Sequence, residues 1–479
     1  MNAAELLLGG APDSVAIIDG DAVHSYGELK TRVERAAAAW SRWGLRPGQR
    51  CVLGLPDGAD WVSAFLGLIW MGGVPIAISP RTDAAQIRDL IDDSGAVALL
   101  LEDETASALG DPRALGLASW KSQLAFAAGP AALHEAKADD PAFWLYSSGT
   151  TGKPKGIVHA HRAAAQAEVF AREVLGASSR DRFYSTSKLF FAYPLANALF
   201  AGLRLGASVV LDAEWPKPER VGRLVARHRP SLFFSVPTLY RRLVDARTAF
   251  VGLRGAVSAG EACPADVAQG WSALTGVPLV NGYGTTETLS LVLYRKAAMP
   301  AARPTPLTQL RIDTESAPQD GAMRLWFNHP AVSLGYSRIV THDSARFGAH
   351  GFSPGDLFRP EGPEAAEGWR FAGRADQLLK VFGRWVDTTA LEQTLAERMQ
   401  DAARESCIVP QGSESENTIS LHLFVVPGAA GEAAARAAAA AAIGDLPAYQ
   451  RPAEIHLMAE LPRTETGKLR RGALKALAA

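Results

Sequence analysis

Two spacings of apolar residues alternate along most of the chain. Segments with an apolar side chain every three or four positions, as on one helix face, are followed by short Val, Ile and Leu runs of the kind found in strands buried on both sides. The spacing predicts helices over 31–43, 84–93, 221–228 and 237–245, the last opening on Pro237, a residue suited to a first helical position. It predicts strands over 50–55, 96–101, 231–235 and 255–258. This alternation is that of βα units around mainly parallel sheets, so the fold class is α/β. The uncharged stretch 61–80 is nominally long enough to span a bilayer, but Gly72, Gly73, Pro75 and Pro80 interrupt it. It reads as a buried helix over 62–71 turning into a core strand over 74–78. Over 351–373 the texture changes to Gly, Pro and Glu, with loops and a hairpin-like edge. This divides the chain into a large N-terminal domain of βα-layered subdomains, 1–373, and a small α+β domain, 374–479. In the latter, Thr389 and Glu392 form a capping-box pattern, strands are expected over 405–409 and 419–426, and the Ala-rich tract 432–443 reads as a covering helix.

Composition narrows the classes of function. A chain of 479 residues has room for two to four domains at roughly 150 residues each. Its net charge of -1 provides no global field for nucleic acid or an anionic membrane, so any phosphate recognition must be local. Hydrophobic residues at 48% and charged residues at 21% fit a soluble globular protein. The N-terminus MNAAELLLGG lacks the basic region of a secretory peptide, which points to the cytoplasm. Cys51, Cys263 and Cys407 are too dispersed for a disulfide framework or a zinc cluster. His159 and His161 form an HxH pair without a third ligand nearby, as expected of loop or helix-start histidines. Only 11 of the 49 cationic residues are Lys, so a Lys in a Gly/Thr loop carries more information than usual.

The strongest local signal is such a loop, Tyr146-Ser-Ser-Gly-Thr-Thr-Gly-Lys-Pro-Lys-Gly156, between a strand-like run 143–146 and a helix-like run beginning near His161. Two glycines permit backbone approach, and four hydroxyls with Lys153 and Lys155 suit a polyphosphate. It departs from the Walker pattern: Gly149 to Lys153 is too short, and Pro154 stands where Ser or Thr is needed. That argues against kinases and P-loop ATPases.

Five further motifs follow in order: Ser258-Ala-Gly-Glu261, Asn281-Gly-Tyr-Gly-Thr-Thr-Glu287, Gly355-Asp356, Gly373-Arg-Ala-Asp376 and Thr466-Gly-Lys468. With them nearly the whole chain resembles the adenylate-forming superfamily of acyl- and aryl-CoA ligases, peptide-synthetase adenylation domains and luciferases. Lys188-Leu-Phe-Phe-Ala-Tyr-Pro-Leu-Ala-Asn197 and the GIVHAHR tail of the loop are most similar to benzoate-CoA-type aryl ligases. The resemblance implies ATP- and Mg²⁺-dependent conversion of an aromatic or similar small carboxylic acid to an acyl-adenylate, then thioester formation with CoA. Two alternatives stand beside it: a stand-alone enzyme loading the phosphopantetheine of an acyl carrier protein, and a catalytically silent nucleotide-binding paralogue. Neither nucleic acid nor membrane is implied as a partner.

The resemblance also implies site roles. Ser148, Thr150, Thr151 and Lys155 hold the β- and γ-phosphates. Glu287 helps place Mg²⁺, Thr286 contacts the α-phosphate, Tyr283 stacks on adenine, and Gly260 and Glu261 complete the nucleotide site. Asp356 accepts from both ribose hydroxyls, with Arg374 beside it. Lys468 approaches the carboxylate and the α-phosphate, and Asp376 is the hinge about which the small domain moves it. Ala192, Tyr193, Ala259, Gly284 and Ser290 line the acyl pocket. From local sequence alone, Phe190, Phe191 and Tyr193 also fit core packing, Tyr283 to Glu287 also fits a Gly turn capped by Thr286 before a helix, and Lys468 also fits a solvated terminal lysine. Arg470 and Arg471 read as a solvated helix face or a contact for a CoA phosphate. The chain departs from the family at Ser290, where benzoate ligases usually carry His, at Pro354 before Gly355, at Phe382 near the pantetheine path, and over 299–325.

Overall fold

The computed structural model describes residues 1–126, 131–147, 154–314, 321–337, 346–374, 378–381, 384–412, 419–463 and 469–477. Contacts divide the chain into two units, Met1–Arg311 with Trp326–Phe352, and Ile312–Leu325 with Ser353–Ala479. Composition puts a boundary near residue 373, whereas this division gives Asp356 and Arg374 to the second unit. The expected hinge, Asp376, lies outside the described residues, as does Phe382.

The first unit holds two large sheets. One runs in the order Arg303–Pro304, Leu293–Arg295, Leu279–Tyr283, Gly255–Ser258, Leu232–Ser235, Arg182–Ser185, Ser208–Leu211, Val15–Asp19, Ala22–Ser25, with its six inner strands parallel. The other runs Gly335–Tyr336, Lys155–Ala160, Pro141–Ser147, Val74–Ala77, Arg50–Gly54, Ala98–Leu101, Ala114–Gly116, parallel except at its first two pairings, where Lys155–Ala160 runs opposite to both neighbours. Most expected elements are present within a few residues. Tyr26–Arg42 begins five positions before the apolar spacing does, because Ser25 and Glu28 form a reciprocal capping box that satisfies its first N–H groups. Ala59–Trp70 and Val74–Ala77 replace the nominal spanning stretch, and among the described residues no helix is long and apolar enough to cross a membrane. The run near His161 differs: the strand Lys155–Ala160 comes first, then the short 3₁₀ turn His161–Ala164 and the helix Val169–Leu175.

The helix Ala59–Trp70 is buried along nearly its whole length and packs on Tyr26–Arg42 through small residues. A Cβ at Gly67 would lie 2.6 Å from Ala36 Cβ and 2.9 Å from both the Ala37 nitrogen and the Val33 oxygen. Trp40 Nε1 donates to the Ala64 carbonyl at 3.0 Å across the same crossing. A side chain at Gly67 raises helix propensity by up to about 1 kcal/mol, yet overpacking against backbone costs about 1–3 kcal/mol.

In the second unit Asp356–Glu361 pairs antiparallel with Gly368–Arg374, and Leu378–Val381 with Arg384–Asp387. A three-stranded sheet orders Ala403–Gln411, Ser420–Pro427 and Glu454–Leu457, the last pair parallel. Leu421, Leu423 and Val425 share a core with Leu395 and Met399 of the helix Thr388–Met399 and with Ala435 and Ala439 of the helix Gly431–Gly444. Ser420, His422 and Phe424 alternate to the other face. The helix begins at Thr388, one position before Thr389, and the Glu392 carboxylate accepts from the Ile408 N–H at 2.6 Å and pairs with Arg471 at 2.8 Å. Arg471 is thus a structural cation rather than a solvated one.

Gly67→Val should destabilise the first unit by about 2 kcal/mol, seen as a lower urea midpoint at unchanged slope; an unchanged midpoint would contradict the close helix crossing.

Candidate active site

Four adjacent parallel strands, Arg182–Ser185, Leu232–Ser235, Gly255–Ser258 and Leu279–Tyr283, end at matched levels: Phe234 pairs with Ser185, Ser235 with Ser258, and Ser258 with Asn281. In open α/β sheets, ligands bind outside the carboxyl ends of strands, where successive loops converge. Ala192 and Tyr193 open the helical segment that follows the first strand, Ala259, Gly260 and Glu261 follow the third, and Tyr283 ends the fourth, with Gly284 to Ser290 after it. Ala192 and Ala259 are buried in one apolar cluster with Phe234, Val257, Val280 and Leu289. Glu261 Oε2 accepts from the Thr238 hydroxyl at 2.9 Å.

The segment after Tyr283 is a closed turn, with no helix following it. The Thr285 N–H donates to Thr288 Oγ1 at 2.9 Å, and the Ser290 N–H donates to the Thr288 carbonyl at 2.6 Å, folding the chain back on itself. A Cβ at Gly284 would stand 2.7 Å from the Ser290 oxygen and 3.2 Å from Leu291 Cα, so the fold-back requires glycine there. The turn leaves Thr286 partly exposed and buries Glu287. The Tyr336 hydroxyl donates to Glu287 Oε1 at 2.9 Å, and Lys155 Nζ lies 5.2 Å from the centre of the Tyr336 ring. A cation, an aromatic face and a carboxylate therefore stand in series. Tyr336 sits opposite Ile157 on the neighbouring antiparallel strand. Sequence reasoning missed it, because it belongs to no motif and lies 49 positions from its partner. The Tyr283 ring packs 6.0 Å from Phe327.

The Lys188 to Asn197 segment is anchored from below. Leu189 N–H donates to both Asp57 carboxylate oxygens at 3.1 Å, and Lys188 Nζ donates to the Asp212 and Glu214 carbonyls. Burial pushes the Asp57 carboxyl up to about 7, opposed by Lys188. The Tyr193 hydroxyl donates to the Val257 carbonyl at 2.8 Å and its ring meets Phe234 edge-on at 6.3 Å, while Phe190 packs on Phe191 and Trp215. Phe190 is a core residue; Tyr193 is pinned by its hydroxyl with its ring partly exposed.

Under the turn lies His159, fully buried and stacked on Phe143 at 4.9 Å. Burial, with Arg162 adding to it, pushes His159 down to about 3. His161 accepts from the Ala3 N–H at 3.0 Å and His329 from the Ala331 N–H at 3.1 Å; burial lowers each to about 4. The HxH pair is thus two neutral packing groups facing different surroundings.

In the second unit, Asp356 and Arg374 are register partners on adjacent strands, with Nε to Oδ1 at 3.8 Å. Asp356 is buried directly after Gly355. Ser148, Thr150, Thr151 and Lys468 lie outside the described residues.

The family described as AMP-binding enzyme matches residues 8–337. The chain belongs to this family. It is 31% identical to a 3-hydroxybenzoate–CoA ligase of Aromatoleum sp. (strain CIB), covering 100% of this chain and 97% of the relative. It is 34% identical to a benzoate–CoA ligase of Thauera aromatica, covering 98% and 94%. Among solved structures, a benzoate CoA ligase from Burkholderia xenovorans LB400 superposes with a TM-score of 0.86 at 28% identity over 99% of this chain and 100% of that one. For this AMP-binding enzyme the α/β architecture with a smaller C-terminal part is that of the adenylate-forming enzymes.

The three buried imidazoles give the enzyme an acid-sensitive window. Their folded values, about 3, 4 and 4, lie below the usual value near 6.5, so below that pH the unfolded chain binds more protons than the folded one. The stability these imidazoles contribute is fully present above about pH 6.5 and is lost as pH falls toward about 4 to 3, each histidine contributing up to about 1.4 kcal/mol per pH unit. His159→Leu should make the fall of the urea midpoint with acid shallower; an identical slope would show that His159 charges freely.

Proposed function

We propose that this AMP-binding enzyme is an AMP-forming acid–CoA ligase that activates a benzoate-like aromatic carboxylate. The observation that carries the proposal is the setting of Glu287: a buried carboxylate at the carboxyl end of parallel strands, held by Tyr336, with the Lys155 cation on the ring beside it. Full-length likeness to benzoate and hydroxybenzoate CoA ligases supports the aromatic substrate.

A carboxylate is a poor electrophile, so its oxygen first attacks the α-phosphorus of ATP, forming an acyl-adenylate and releasing pyrophosphate. The CoA sulfur then attacks the acyl carbon, giving the thioester and AMP. Lys155, with Ser148, Thr150 and Thr151, holds the β- and γ-phosphates, and Thr286 meets the α-phosphate. Tyr283 faces adenine, with Gly260 and Glu261 alongside. Asp356 binds the ribose hydroxyls, assisted by Arg374. Tyr336 occupies one Glu287 oxygen, and the carboxylate is a hard oxygen donor suited to Mg²⁺. Mg²⁺, when bound, neutralises charge on the departing pyrophosphate. Lys468 stabilises the charge developing at phosphorus and leaves by movement about Asp376 before the thiol attacks. Ala192, Tyr193, Ala259, Gly284 and Ser290 form the acyl-binding wall in this reading, Gly284 by permitting the tight fold-back that carries Ser290.

Carboxylate-dependent pyrophosphate exchange across a panel of benzoates should be positive, and CoA rather than a holo carrier protein should convert the adenylate to a thioester. Exchange with aliphatic acids alone would refute the aromatic assignment, absence of exchange would favour a silent paralogue, and transfer only to a carrier would replace the acceptor. Lys468→Ala should nearly abolish exchange yet spare thioester formation from supplied acyl-adenylate; equal loss of both steps would remove its assigned role. Tyr336→Phe leaves the buried Glu287 oxygen without its donor, at about 1–3 kcal/mol. It should lower kcat/KM for exchange roughly tenfold to hundredfold, and an unchanged value would separate Tyr336 from the site.

A further inference from the structure

The small sheet of the second unit gathers three metal-binding side chains that neither the motifs nor the proposed reaction uses. His422 stands opposite Glu454 in the parallel pairing of Ser420–Pro427 with Glu454–Leu457, and Phe424 stands opposite His456. Period-2 alternation therefore puts Ser420, His422, Phe424, Glu454 and His456 on one face. His422 Nδ1 is 3.1 Å from His456 Nε2, His456 Nε2 is 3.5 Å from Glu454 Oε2, and His422 Nδ1 is 3.9 Å from the same oxygen. A tetrahedral ion bonded at roughly 2.0–2.1 Å to its ligands separates them by about 3.3 Å, so these three atoms already bracket the edges of such a site.

Two further contacts prepare the donors. Ser420 Oγ lies 3.2 Å from His422 Nε2 and can accept that ring's proton, turning the Nδ1 lone pair toward the other two groups. The His456 ring is stacked on Phe424 at 4.5 Å and 16°, which holds its plane. His422 is buried, whereas Glu454 is 63% exposed at its side chain, so one side of the triad opens to water.

We propose that His422, His456 and Glu454 form a binding site for Zn²⁺ or a similar borderline dication, with water as the fourth ligand. The ion replaces the hydrogen bond between the two rings; His456 then carries its proton on Nδ1, and no net proton is released. Two imidazoles distinguish this site from one for Mg²⁺, which prefers oxygen donors. The ion would join the edge strand Glu454–Leu457 to the central strand Ser420–Pro427.

The test uses the untagged full-length protein, stripped of metal and free of nucleotide, titrated with Zn²⁺ against a chromophoric chelator. One Zn²⁺ should bind per chain, and His456→Gln should weaken binding at least tenfold. Glu454→Gln, at an exposed position, should weaken it with folding intact. Zn²⁺ should raise the Tm of the parent chain but not of His456→Gln, and Co²⁺ should develop visible ligand-field bands only in the parent. Absence of stoichiometric Zn²⁺ binding in the parent, or equal affinity in both variants, would overturn the proposal.

Discussion

Parallel registration of four short strands is the constraint on which the candidate active site depends. Arg182–Ser185, Leu232–Ser235, Gly255–Ser258 and Leu279–Tyr283 are each only four or five residues long, and their pairings bring their carboxyl ends level. Because parallel strands require a crossover between each pair, every loop leaving that edge comes from a different part of the sequence. Residues 192, 259 and 284 thus become neighbours of one sheet edge although nearly a hundred positions separate the first from the last. A one-residue slip in any pairing would move the apolar set out of the core and misdirect the loop beyond it.

Beneath those loops the protein buries polar groups that are useful only if satisfied. Glu287 is held by Tyr336, the Leu189 N–H by Asp57, and Lys188 by two carbonyls. Burying a carboxylate or ammonium without partners costs several kcal/mol, so each arrangement favours a narrow set of backbone positions. Asp57 and Lys188 both feel burial against their charged forms, and their mutual attraction opposes it. The arrangement pins the start of the Lys188 to Asn197 segment while leaving Tyr193 partly exposed. A purely apolar packing of Phe190 and Phe191 would fix depth but not this orientation.

The α/β class and most of its helices and strands were legible because their apolar periods are regular and fall between turns. The ends were less so: the start at Tyr26 depends on the Ser25 and Glu28 cap, and Glu392, read from its spacing as a capping residue, also serves Ile408 and Arg471. Local patterns cannot reveal which distant partner will claim a carboxylate. The candidate site is legible in sequence where its residues are contiguous, as from Tyr283 to Glu287. It was not legible where a site residue acts across the fold, as Tyr336 and Asp57 do. Likewise, His159 and His161 look alike in sequence, and only the structure stacks one on Phe143 and turns the other to the Ala3 N–H.

The lysines show the same limit more sharply. In a chain of net charge -1 with 11 lysines, each could be read as a marker of a local anion site. Lys155, to which the proposed function gives that use, is partly exposed, with its ammonium 5.2 Å from the centre of the Tyr336 ring. Lys188 is equally rare and opens a family-like motif, yet its ammonium is buried and donates to the Asp212 and Glu214 carbonyls. Burial lowers its proton affinity, so it is a poor candidate for meeting an anion from solvent and a good one for tying a loop to the sheet. What separates the two is the competition for their donors. A partly exposed cation can meet an anion from solvent, whereas a buried one that donates to main-chain oxygens serves the fold.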